Sequence, residues 1–285
     1  MKTAVITDEI SQNPEQAAKV ASDFCLDGIE LRSVWDKQPH ELSEKEIERI
    51  KNICERYSLK VCAISSPFFK CNFNKDEIEA QINLLEKTIQ LAKRLDCRII
   101  RGFSFWQEED FEKMLPLIAE AFKVPAKMLQ EADMELALEL DPSVYACNGQ
   151  RLARLVEAIG HPCVKALWDA GNDIYSPVPE QPFPEGYHYV RPYIVHVHLK
   201  DAVKKGETAE SVKIGTGQVD WTAQLAALKE DGYKGYISLE THYRKGIKIS
   251  EELLRQPGGA DFSECGLEAS EECLEALQDI LGELN

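Results

Sequence analysis

No apolar run in this 285-residue sequence approaches the ~18 residues of a membrane span. The opening segment, Met1-Lys2-Thr3-Ala4-Val5-Ile6-Thr7-Asp8, reaches an acid before a hydrophobic stretch can form. Neither a transmembrane helix nor a signal peptide is expected. C-x-x-C pairs are also missing. Cys25, Cys54, Cys62, Cys71, Cys97, Cys147, Cys163, Cys265 and Cys273 are scattered and odd in number. That is the usage of buried thiols in a reducing cytoplasm, and it excludes a disulfide framework or a zinc knuckle. Positive charge is scarce: 33 Lys and Arg against 49 Asp and Glu leave a net charge of −16. Such a balance opposes a protein that works by neutralising phosphate backbones, so nucleic acid is not an expected partner. Low-complexity linkers are lacking too, and a single domain over residues 1–285 is expected.

What is present is an alternation that runs from one end of the chain to the other. Short β-rich apolar runs occupy residues 3–7, 28–32, 60–65, 98–103, 135–140, 165–169, 194–200 and 235–240. Each has the length of a buried parallel strand, and amphipathic stretches lie between them. In residues 77–95, Ile78, Ile82, Leu85, Ile89 and Ala92 form one apolar stripe while Glu79, Lys87 and Lys93 point away. A second helix is read over residues 44–57 and a last one over 267–281. Eight β/α units in series predict an α/β fold of the (β/α)₈ TIM-barrel type, with an open doubly wound sheet as the alternative. Two irregular segments interrupt the pattern. Residues 172–192 hold five of the thirteen prolines, which predicts a short or missing sixth helix. Residues 244–263, containing Pro257-Gly258-Gly259, read as an insertion before the last helix. In a barrel both would overhang the C-terminal face, where active sites lie.

The residues that close barrel strands point into a shared mouth. Four consecutive strand ends carry metal-ligand chemistry: Leu-Ala-Leu-Glu139, Ala-Leu-Trp-Asp169, His196-Val-His198-Leu-Lys200-Asp201 and Ile-Ser-Leu-Glu240. Three carboxylates and an imidazole at one point suit Mn²⁺, Mg²⁺, Co²⁺ or Zn²⁺. His196 and His198 share a face, and only the outer, His198, is placed as a ligand, with His196 supporting it or packed in the core. Lys200, on the same face, is in reach of a substrate oxygen. Arg32 and Arg101 suit a phosphate or carboxylate, or an ion pair with an acid such as Glu30. Phe68, Phe69, Phe103, Phe105 and Trp106 follow strands three and four, either as core or as a dry wall against a sugar. Gly215-Thr-Gly217 offers amides to a phosphate, or a turn leading to Asp220 as a helix cap.

Taken together with Trp-Asp169-Ala-Gly-Asn172 and Gly215-Thr-Gly217-Gln-Val-Asp220-Trp221, these strand ends resemble the xylose-isomerase-like barrel superfamily of sugar-phosphate isomerases and epimerases. The resemblance implies that Glu139, Asp169, His198 and Glu240 hold one divalent metal ion. It also implies that Glu139 and Glu240 act as acid and base on a sugar or sugar phosphate, through a metal-bound enediolate. Arg32, Asn172, Lys200 and Trp106 are the candidate substrate contacts. Free keto-sugar epimerases of the family carry a second Glu where Tyr145 stands here, and a His where Asn172 stands, so the substrate is left open. The same metal site also suits dehydration of a cyclic keto-polyol such as an inosose. The abasic-site nuclease branch needs more histidines than the six present and a less acidic chain; a non-enzymatic sugar-binding barrel is the remaining alternative. Self-association into a homo-oligomer is compatible with the sequence.

Overall fold

The computed structural model describes residues 1–206, 208–246 and 259–284. Its centre is a closed barrel of parallel strands: β1 (Lys2–Ile6), β2 (Gly28–Leu31), β3 (Lys60–Phe68), β4 (Ile99–Gly102), β5 (Glu135–Glu139), β6 (Val164–Asp169), β7 (Ile194–Leu199) and β10 (Tyr236–Leu239). Every one of them falls on an expected run. Closure is explicit in the register, because β1 pairs with β2 through Val5↔Ile29 and with β10 through Val5↔Leu239. An open doubly wound sheet is therefore excluded, and the fold is a single-domain TIM barrel.

Local chemistry starts and stops the surrounding helices where the sequence provides caps. Ser43 and Glu46 form a capping box ahead of the helix Glu44–Arg56. Asn74 accepts from the Glu77 amide at 3.0 Å to open Lys75–Arg94. Within that helix Leu85, Ile89 and Ala92 are buried, while Ile82 and Ile78, one and two turns earlier, are only half-buried. Asn148 caps Gly149–Ile159, which ends at Gly160 with φ of +61°, a left-handed position that suits glycine. Phe68, Phe69, Phe105 and Phe122 pack against one another between barrel and helices, with Phe68 and Phe69 stacked at 4.0 Å. Core packing thus accounts for most of the aromatic cluster, and Trp106 stands apart from it.

The proline-rich stretch behaves as its composition predicts. The sixth helix is the six-residue Ala170–Tyr175, followed by a wide turn at Pro182–Gly186 and the short Tyr187–Val190. Glu180 ties this loop down by accepting from the amides of Gly149 at 2.6 Å and Gln150 at 3.1 Å. One element was not anticipated: after β7 the chain forms an antiparallel hairpin, β8 (Asp201–Lys205) and β9 (Thr208–Val212). It packs on the short sixth helix, where Tyr175 Oη and Ser211 Oγ are 2.9 Å apart. Of the expected insertion over residues 244–263, residues 247–258 lie outside the described residues.

Candidate functional site

At the C-terminal mouth the barrel presents charged side chains in layers set by the two-residue period of its strands. Glu139, Asp169, His198 and Glu240, from β5, β6, β7 and the end of β10, are all buried, and their ligand atoms lie within 4.8 Å of one another. The structure therefore brings together the four residues that the strand-end pattern singled out. His198 Nδ1 is 3.0 Å from Glu139 Oε1, 3.6 Å from Glu240 Oε2 and 4.0 Å from Asp169 Oδ2. Asp169 is divided between two tasks. Its Oδ1 accepts from the Asn172 amide at 2.9 Å and caps the following helix, whereas its buried Oδ2 turns into the cluster, toward the Lys200 ammonium. Three buried carboxylates and an imidazole nitrogen converging in this way are a donor set that fits a divalent cation.

Lys200, on the same face as His198, places Nζ 2.8 Å from Asp169 Oδ2 and 2.6 Å from Glu240 Oε2. Arg32 spreads its guanidinium over three carboxylates: Nε to Asp8 Oδ1 at 2.8 Å, Nη2 to Glu9 Oε1 at 2.6 Å and Nη1 to Glu240 Oε1 at 2.6 Å. Its partners are these acids and not Glu30. Arg101 Nη1 stands 3.3 Å from Glu139 Oε2, with further contacts to the carbonyls of Ser65 and Ser66. Each of the two candidate acid/base glutamates thus has an arginine on one oxygen. Asn172 donates Nδ2 to the Leu140 carbonyl at 3.0 Å and so links β5 to the sixth helix. Trp106 is half-buried at the rim, its ring 5.6 Å from Lys70 Nζ, which pairs with Asp141 at 2.9 Å.

Electrostatics follow from this crowding. Burial pushes the Asp169 carboxyl up, Glu240 and Glu139 push it further and Lys200 opposes them, with a result of about 7. Burial would also raise Glu240, but Lys200, His242 and His198 hold it well below the usual carboxylate range. Burial would lower His198, and Glu30 and Glu139 overcome it, holding the imidazole well above its ordinary value.

Sequence reading missed Glu30, Asp8, Glu9 and His242 as members of the mouth. Glu30 lies between Ile29 and Leu31 in β2, and an acid inside an apolar run was its signal. Asp8 and Glu9 follow β1, and His242 lies two residues past Glu240, so the strand-end rule applied to every strand would have found them. The Gly215-Thr-Gly217 turn is not a phosphate cradle. Asp201 accepts from the amides of Gly215 at 3.0 Å, Gly217 at 2.8 Å, Val219 at 3.1 Å and Ala202 at 2.9 Å, which leaves those donors spent. Asp220 caps the next helix through the Ala223 amide at 3.0 Å.

The chain is 24% identical over 227 residues to an uncharacterized protein of Methanocaldococcus jannaschii, covering 76% of each. It is 23% identical over 184 residues to L-ribulose-5-phosphate 3-epimerase UlaE of Salmonella paratyphi C, a match spanning 63% of each chain. The solved structure of IOLI protein with a bound zinc atom superposes with a TM-score of 0.77 at 16% identity, over 100% of this chain and 99% of that one. The sequence pattern of the xylose isomerase-like TIM barrel family matches residues 18–261, and the chain belongs to that family.

Proposed function

We propose that this protein is a divalent-metal-dependent isomerase or epimerase of a sugar or sugar phosphate. The observation that carries the reading is the convergence of buried Glu139, Asp169, His198 and Glu240, whose ligand atoms lie within 4.8 Å of one another. Charge supports it. Six buried carboxylates in and around the mouth, those of Asp8, Glu9, Glu30, Glu139, Asp169 and Glu240, face four cations, Arg32, Arg101, Lys200 and Arg244. These acids outnumber these cations by two, an excess that holds His198 well above its ordinary value and that Mn²⁺, Mg²⁺, Co²⁺ or Zn²⁺ would balance. Such an ion, held by Glu139, Asp169, His198 and Glu240, would polarise a substrate carbonyl and make the adjacent C–H bond more acidic.

The chain's own groups then account for proton movement. One glutamate removes the C–H proton while the electron pair enters the carbon–carbon bond as an enediolate. Return of a proton from the opposite carboxylate inverts that carbon and gives epimerisation; return to the neighbouring carbon gives isomerisation. Arg101 and Arg32 hold Glu139 and Glu240 in place. Asn172, Lys200 and Trp106 complete the site as substrate contacts, the half-buried Trp106 ring offering an apolar wall, while Arg32, paired with Asp8, Glu9 and Glu240, acts through Glu240. All nine cysteines are free thiols, which supports a reducing, cytoplasmic setting. No helix among the described residues is long and apolar enough to cross a membrane.

The direct test is metal analysis of protein purified without added metal, followed by deuterium wash-in from D₂O across a panel of ketoses, ketose phosphates and inososes. Metal-dependent exchange at the carbon beside the carbonyl, lost on chelation, is the expected result. Exchange accompanied by loss of water from an inosose would move the assignment to a dehydratase. Failure to bind any divalent ion would overturn the reading.

A further inference from the structure

Glu30 has no role in the proton transfer described above, and it is completely buried. It sits on β2 with no exposed surface and reaches across the barrel to β7. Oε2 lies 2.7 Å from His196 Nε2, Oε1 lies 2.9 Å from His198 Nε2, and Ser65 Oγ donates to Oε1. Among the described residues no lysine or arginine pairs with it. Three polar neighbours on one carboxyl group fix where the hydrogens lie. Even a protonated Glu30 supplies one hydrogen, and as a carboxylate it only accepts. The network therefore assigns hydrogens to Ser65 Oγ, His196 Nε2 and His198 Nε2.

We infer that Glu30 is a positioning residue that locks His198 so that Nδ1 is its ligand atom. This rests on the metal-dependent reading above. With the Nε2 hydrogen given to Glu30, Nδ1 is the nitrogen of His198 that faces Glu139, Glu240 and Asp169, at 3.0, 3.6 and 4.0 Å. Carboxylates surround Nδ1, so that position takes a hydrogen in the ion-free chain and a metal ion when one binds. The orientation of a metal-binding imidazole and its basicity are both set by the partner on its other nitrogen. His196 belongs to the same device. Its Nδ1 is buried without a partner among the described residues, so its hydrogen bond to Glu30 is what it contributes, and that bond holds the carboxylate in position.

The test pairs a variant with a measurement on the unaltered protein. Glu30→Gln keeps the shape but presents one acceptor and one donor to two imidazole N–H groups, so one histidine must turn or move its hydrogen. Calorimetric titration of metal-stripped protein with Mn²⁺ should show binding weakened ten- to a hundred-fold by this change. Nitrogen-15 NMR of the Zn²⁺-loaded wild type should show His198 metallated at Nδ1 with a hydrogen on Nε2. Equal Mn²⁺ affinity in the folded variant, or Zn²⁺ on Nε2, would overturn the inference while leaving the metal-dependent reading intact. If stripped wild type binds neither ion, both fall together. Should the variant fail to fold by circular dichroism, the wild-type NMR assignment decides alone.

Discussion

Lys200 Nζ lies 2.6 Å from Glu240 Oε2, inside the cluster proposed to hold a metal, and the same ammonium reaches Asp169 at 2.8 Å. Two of the four candidate ligands therefore share a built-in cation. Replacing Lys200 by Met leaves both carboxylates buried without it, and metal-stripped protein should lose roughly 3–5 kcal/mol. Saturating divalent ion should restore part of that loss. Thermal denaturation with and without chelator would then show a wider gap between the two states than in wild type. An equal loss in both states would show that ion and ammonium do not substitute for each other.

Glu139→Gln keeps the length of the side chain and removes its ability to take a proton. Turnover should fall by roughly 10²- to 10⁴-fold, with deuterium wash-in falling in parallel. Trp106→Ala should instead raise KM with kcat largely retained, because a wall that contacts substrate equally in ground and transition states contributes uniform binding. Steady-state kinetics on the substrate identified by the exchange screen separates the two outcomes.

The pH dependence of stability should carry a signature of Asp173, which is buried with both oxygens lacking a donor among the described residues. Burial first, and then the Glu180 carboxyl, push it from 3.8 to about 9. Between those values the folded chain keeps a proton that the unfolded chain releases. Stability from this group is therefore greatest below 3.8 and is lost as pH rises toward 9. Asp173→Asn needs no such proton. At pH 8 it should be more stable than wild type by on the order of a few kcal/mol, and the gap should close by pH 4. Urea denaturation across that range measures it, and parallel profiles for the two proteins would refute the assignment.

Asp201 gathers three backbone amides from the turn that leads from the hairpin to the next helix, and the amide of Ala202 beside it. Asp201→Ala leaves those donors without their acceptor and should cost roughly 2–4 kcal/mol, read as a lower urea midpoint. Gly217→Ala should also destabilise, because a methyl group there would strike the Asp201 carboxylate and the Ala202 carbonyl, 2.7 Å away.

The barrel itself was legible because its signals are local. Strand runs, the stripe of the third helix and the prolines of residues 172–192 depend on neighbours a few positions apart, and the physics that reads them is the period of side chains along one element. Glu139, Asp169, His198 and Glu240 were legible for a related reason: parallel strands deliver their last residues to one face, so position along a strand already implies position in space. The hairpin β8–β9 was not read, since a polar five-residue strand such as Thr208–Val212 carries no apolar alternation.

What the sequence determined alone was therefore the order of eight β/α units and the identity of the acids and imidazole at their ends. Tertiary structure decided who pairs with whom. Glu30 and His198 are 168 residues apart, and Arg32 and Glu240 are 208 apart. Only closure of the barrel sets these groups against one another. A buried charge must take whichever partner closure supplies, and for that reason Arg32 met Asp8, Glu9 and Glu240 while Glu30 was left to orient two histidines.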